Sequence, residues 1–199
     1  MQTRPDGKPT YHARTVADWR DWLAANGTFQ PGVWLIIYRK AAATPSIDYP
    51  TAVDHALCYG WIDSKPNKRD AESYFQYFSP RNPKSNWSRV NKEKVARLEA
   101  AGLIAPPGRA MIELAKRTGT WTALDDVENL VIDPDLRAAF DAVPPEAWMH
   151  FEAFPCSVKR GILEWIFTAK RPATRAKRIR TTVEMAARNK RANQYPPDK

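Results

Sequence analysis

The chain has 199 residues, 43% hydrophobic and 27% charged, with eight Trp, seven Tyr and seven Phe. That much apolar and aromatic surface excludes a disordered chain and suits one domain, or one with a smaller helical appendage. A formal charge of +9 admits nucleic acid, anionic lipid or an acidic protein as partner without selecting among them.

Two cysteines, Cys58 and Cys156, make no disulfide framework and suit reduced thiols in the cytoplasm. Met1 to His12 is polar and reads as a loose tail, with no apolar core for a secretory signal. Thr15 followed by Asp18 resembles a capping box. It opens a helix whose face carries Trp19, Trp22 and Leu23 and which ends at Asn26-Gly27. Trp19 is assigned to core packing. Pro31-Gly32 turns the chain. Val33 to Tyr38 is apolar on both faces and predicts a central strand covered on two sides. It is far shorter than the roughly 20 residues of a membrane-spanning helix, so no transmembrane segment is expected. Arg39-Lys40 emerge at its end, and Ala41 to Tyr49 is a loop.

The next stretch is the densest in chemistry. Pro50 suits the first turn of a helix over Thr51–Tyr59, with Val53, Ala56 and Leu57 on one face and Gly60 as the stop. Cys58 reads as a small buried thiol. Gly60 to Ser64 predicts a short strand that points Trp61 and Asp63 the same way. Asp is depleted in strands, so Asp63 calls for a partner. Lys65 to Asp70 reads as a polar turn, and Tyr74 to Phe78 as the returning strand. Ser79 to Ser88 is a loop stiffened by Pro80 and Pro83, and Ser85 is the expected N-cap of a helix over 86–101. Trp87, Val90, Val95, Leu98 and Ala101 form its apolar stripe. Asn91 and Lys94 fall inside that stripe and need partners, Asp63 being the expected one. Arg81 and Lys84 approach the positive helix end, which favours an anion. The candidate ligand-binding set is therefore Trp61, Asp63, Arg81, Lys84, Ser85, Trp87, Ser88 and Asn91. The competing reading is a structural contact that fixes the fold.

Three runs here, Ala56 to Ser64, Phe78 to Ser88 and Val90-Asn91-Lys92, together with Ala169 to Ile179, resemble the bacteriocin-protection, YdeI/OmpD-associated family. The likeness extends over most of the chain. It departs at Thr51 and Ser64, where members often carry Glu and Gly. The resemblance implies a bacterial stress-protection protein with a porin association in its name, and it implies no particular reaction.

Gly102 closes the long helix, and Pro106-Pro107-Gly108 opens another bearing Met111, Leu114 and Ala115. Trp121 to Val131 reads as an acidic, irregular connector. It divides a motif-bearing region, 1–125, from a helical region, 126–199, expected to pack on it, possibly within one single domain. From Pro134 onward helical spacing returns four times, the last helix beginning at Pro172. The class expected is α+β: a small, mainly antiparallel sheet flanked by helices, followed by a helical C-terminal half. Lys170, Arg171, Arg175, Lys177, Arg178 and Arg180 form a basic patch, read as a solvated helix face, a binder of phosphate backbone or anionic lipid, or a supplier of cations to the central pocket.

His12, His55 and His150 lack zinc-ligand spacing, and no metal or cofactor is expected. No phosphate-cradling glycine loop and no GxSxG elbow occurs. Cys58 and His55 lie three residues apart on one helix, which does not align a nucleophile with its base. No catalytic residue is assigned. Three functions remain open: a cytoplasmic protection protein holding a small anionic or polar ligand or meeting a protein partner, an enzyme using the same pocket, and a nucleic-acid binder using the basic patch.

Overall fold

The computed structural model describes residues 7–193. They belong to two compact units, Met1–Thr122 and Ala123–Lys199. Residues 1–6 of the expected tail lie outside the described ones.

The first unit runs β1 (Thr10–His12), α1 (Val16–Asn26), β2 (Val33–Tyr38), α2 (Tyr49–Cys58), β3 (Trp61–Lys68), β4 (Ser73–Pro80), α3 (Arg89–Ala100) and α4 (Pro106–Thr118). The strands form one sheet in the order β1-β2-β4-β3, parallel between β1 and β2 and antiparallel elsewhere. The α+β class with a small, mainly antiparallel sheet is thus observed.

Two elements depart from expectation. Thr10 to His12 is a strand, not a loose tail: Thr10 is in register with Trp34, and Trp34 N donates to Pro9 O at 3.0 Å. Lys65 to Lys68 continue β3, and the turn moves to 69–72. Pro66 is tolerated because β3 lies at the sheet edge and its register shifts between Asp63 and Pro66. Asp70 Oδ1 closes the turn by accepting from Glu72 N at 2.9 Å and Ser73 N at 2.7 Å.

Local chemistry explains the helices. Thr15 and Asp18 form the capping box that opens α1. Asp48 caps α2 by accepting from Thr51 N, and Gly60, at φ +73°, turns the chain directly into β3. The core lies between the sheet and α1–α2. Trp19 and Trp22 stack with centroids 5.4 Å apart, Trp61 meets Trp22 edge-on at 5.6 Å, and Phe78 meets Trp19 at 5.4 Å. Burying each such ring stabilises the unit by about 2–3 kcal/mol. Trp19 Nε1 donates to Ala52 O at 3.0 Å, which satisfies its one polar atom and ties α1 to α2.

The second unit is helical among its described residues: α5 (Asp125–Glu128), α6 (Pro134–Asp141), α7 (Glu146–Ala153), α8 (Cys156–Phe167) and α9 (Pro172–Ala187). The expected irregular connector thus contains a helical turn, α5. Leu136, Phe140, Phe151, Ile162, Ile166 and Ala186 are among the residues of its own core. Among the described residues no helix is long and apolar enough to cross a membrane.

Candidate functional site

Arg81 follows the end of β4 and enters the loop that leads to α3. Its backbone N donates to Gly60 O at 2.9 Å, so the α2–β3 turn fixes where the loop begins. The side chain runs inward and is 5% exposed. Its guanidinium carbon lies 3.9 Å from the Trp87 ring centroid, and Nη2 donates to the Asn86 carbonyl. Its Nε is buried without a hydrogen-bond partner. No carboxylate among the described residues forms an ion pair with it. Burial alone pulls its pKa down to about 10, so it remains a cation at neutral pH.

The loop that covers Arg81 is ordered by its own polar groups. Lys84 N donates to Asn82 Oδ1 at 2.9 Å, and Ser85 Oγ donates to Asn82 O at 2.7 Å. Ser88, rather than Ser85, caps α3: its Oγ accepts from Asn91 N at 3.4 Å. The helix therefore starts at Arg89, three residues later than expected. The shift follows from Trp87, which is 1% exposed and packs on Trp121 at 5.0 Å; it sits in the core as part of the loop. Val90, expected in the apolar stripe, is 59% exposed for the same reason.

The remaining expected site residues have other neighbours. Trp61 is fully buried, with Nε1 donating to Gly27 O at 3.1 Å. Asp63 accepts from the Tyr49 hydroxyl at 2.7 Å. Burial, and then Asp63, push the Tyr49 phenol up to about 12. The expected Asp63–Lys94 contact is not formed. Lys94 pairs with Asp54 at 2.5 Å, and Arg97 reaches the other oxygen of Asp54 at 2.5 Å. Burial opposes the Asp54 charge, but these two cations outweigh it and hold the carboxyl below its ordinary value. The structure thus gathers Arg81, Lys84, Ser85, Trp87, Ser88 and Asn91 on one loop and helix start, and gives Trp61 and Asp63 partners of their own.

Sequence reasoning missed Tyr49, Asp54 and Arg20. Arg20 Nη1 and His55 Nδ1 are 3.1 Å apart, and Arg20 Nη2 donates to Leu103 O at 3.2 Å. Cys58, one turn from Asp54, is fully buried, and burial pushes its thiol pKa up, the reverse of what activates a nucleophile.

In the second unit three of the six patch cations have partners within the chain: Arg175, Arg178 and, through an exposed pair with Glu184 at 4.0 Å, Arg180. Arg175 bridges Asp133 at 2.5 Å and Asp135 at 2.7 Å, fastening α9 to the start of α6. Arg178 donates to the Trp165 carbonyl near the end of α8 and lies 5.1 Å from the Trp165 ring centroid. Arg175 therefore clamps carboxylates of its own chain, and Arg178 does not join it there. Lys170, Arg171, Lys177 and Arg180 are exposed.

The two units also match different family models. Residues 11–111, half of the chain, match a domain of unknown function, DUF8412. The chain belongs to the DUF8412 family. Residues 129–189 match the family described as bacteriocin-protection, YdeI or OmpD-associated, the one its motifs resemble. The Arg81 loop lies within the DUF8412 match, and Ala169 to Ile179 within the other. No curated protein and no solved structure matches the chain.

Proposed function

We propose that this chain is a cytoplasmic protection protein that works by holding a small anion, phosphate- or carboxylate-bearing, at Arg81. The observation that carries this reading is a buried guanidinium with an unpartnered Nε and no carboxylate to neutralise it. A buried cation without its counter-charge is costly, and an anion bound beside it would offset that cost. Trp87 gives the guanidinium a flat π face, and the hydroxyls and amides of Ser85, Ser88 and Asn82 lie along the same loop. Because Arg81 is covered, binding requires the 82–88 loop to shift.

The nucleic-acid reading draws less support, since two cations of the basic patch are spent on Asp133, Asp135 and the Trp165 carbonyl. An enzymatic reading through Cys58 draws less again, because that thiol is buried and its pKa raised.

The test is thermal unfolding of wild type and Arg81→Met with phosphorylated metabolites, nucleotides and dicarboxylates. A ligand at 100 times its Kd stabilises the native state by about 2.7 kcal/mol. A rise in Tm seen in wild type and absent in Arg81→Met is the expected result. An equal rise in both proteins, or none in either, would leave Arg81 as a structural residue that holds Trp87 and Asn86.

A further inference from the structure

Beyond β2, at the end of the sheet, the chain makes a second polar cavity that the Arg81 loop does not contribute to. It has a volume of about 460 Å³, and Tyr38, Arg39, Lys40, Thr44, Pro45 and Asp48 are among its lining residues. This is within the range of small-metabolite pockets.

The cavity wall is an ordered loop. Tyr38 N donates to Ser46 Oγ at 3.3 Å, Ala42 N to Arg39 O at 2.9 Å, and Ile47 N to Ala13 O at 3.2 Å. His12 Nε2 holds Pro45 O at 2.9 Å, and its ring lies 5.0 Å from that of Tyr38. The loop is therefore pinned to β1 from one side and to β2 from the other.

Its charges do not balance. Arg39 and Lys40 are both exposed, and neither charged group has a hydrogen-bond or ion-pair partner among the described residues. The one carboxylate in the lining, Asp48, caps α2 by accepting from Thr51 N at 2.9 Å; the Thr51 side chain and then its backbone N–H lower its pKa, so Asp48 stays an anion and the lining sets two cations against one carboxylate. A guanidinium fork and an adjacent ammonium, with the Thr44 hydroxyl on the same wall, make a donor set that suits a tetrahedral oxyanion.

We infer that this cavity is a second binding site, for a small phosphate monoester, with Arg39 and Lys40 on the phosphate. It is independent of the site at Arg81, and either can fail alone.

The experiment is a ¹H–¹⁵N titration of the full chain with adenosine 5′-monophosphate and with inorganic phosphate at constant ionic strength. The proteins compared are wild type, Arg39→Ala/Lys40→Ala and Arg81→Met. Both cations are exposed, so the double variant keeps the fold. The expected result is a saturable shift of the residue 39–48 amides in wild type and in Arg81→Met, lost in the double variant. No saturable shift in that segment with either probe would overturn the inference. So would a shift that persists in the double variant. Shifts confined to residues 81–91 and lost in Arg81→Met would support the Arg81 site and refute this one.

Discussion

Asp54 of α2 and Lys94 of α3 stand 2.5 Å apart, and the second Asp54 oxygen lies 2.5 Å from Arg97. One carboxylate thus joins two helices through two cations. The side chains of Asp54 and Lys94 are 15% and 23% exposed, whereas Arg97 is 61% exposed and contributes little after solvent screening. Asp54→Asn is expected to cost about 1–2 kcal/mol at pH 7, read as a lower urea midpoint. The Asp54 carboxyl is held below its ordinary value in the folded state. Its contribution is therefore full above the unfolded pKa and is lost as pH falls through the folded one. The gap between wild type and variant should narrow as pH falls below the ordinary carboxylate value of about 4, and close once pH has passed below the lowered pKa of the folded state. A gap independent of pH would mean that packing, not charge, sets the cost.

This pair shows where the sequence was readable. Thr15 with Asp18, and Gly60 after α2, announce helix ends because caps depend on neighbours a few residues away. The apolar run Val33 to Tyr38 announces a covered strand for the same local reason. The three residues of β1 carry no such signal; they form a strand only because β2 offers an edge. Ser85 and Ser88 are equally good caps by residue type, and the burial of Trp87 decides between them. A helix wheel shows that Lys94 needs a partner, but the choice of Asp54 over Asp63 comes from α2 packing on α3 while Tyr49 takes Asp63.

Cys58 and Cys156 should separate cleanly by reactivity. Cys58 is buried with its thiol pKa raised, and Cys156 is exposed at the start of α8. A thiol-specific disulfide reagent should titrate one thiol per chain in native buffer and two in guanidinium chloride. Two fast thiols in the native protein would show that α2 opens readily, and would revive Cys58 as a reactive group.

Arg175 should matter more than its neighbours in the basic run. It spans Asp133 and Asp135, both about half exposed, so its removal by Arg175→Ala should cost only about 1 kcal/mol, less at high salt. Arg175→Lys should recover part of this, because an ammonium lacks the planar fork. Lys177→Ala should stay within about 0.5 kcal/mol of wild type. Equal losses for Arg175→Ala and Lys177→Ala in chemical denaturation would show that the Asp133–Arg175–Asp135 link carries no stability.

Gly108, in the first turn of α4, is pressed against the backbone of α2. A Cβ there would lie 2.2 Å from Cys58 O, 2.6 Å from Cys58 C and 3.0 Å from Leu57 O, all backbone atoms of α2. Backbone cannot rotate away as a side chain can, so α2 and α4 would have to separate. That movement would also stretch the hydrogen bond from Ala105 N to Cys58 O, now 3.0 Å. Alanine is the better helix former by about 1 kcal/mol, yet overpacking costs about 1–3 kcal/mol, so Gly108→Ala should destabilise. Gly161, in α8, is the control: a Cβ there meets nothing within 4 Å. Gly161→Ala should hold or raise stability by up to about 1 kcal/mol. Melting curves followed by circular dichroism should therefore move in opposite directions for the two variants. If both rise, helix propensity alone governs Gly108, and α4 does not press on the end of α2 in solution.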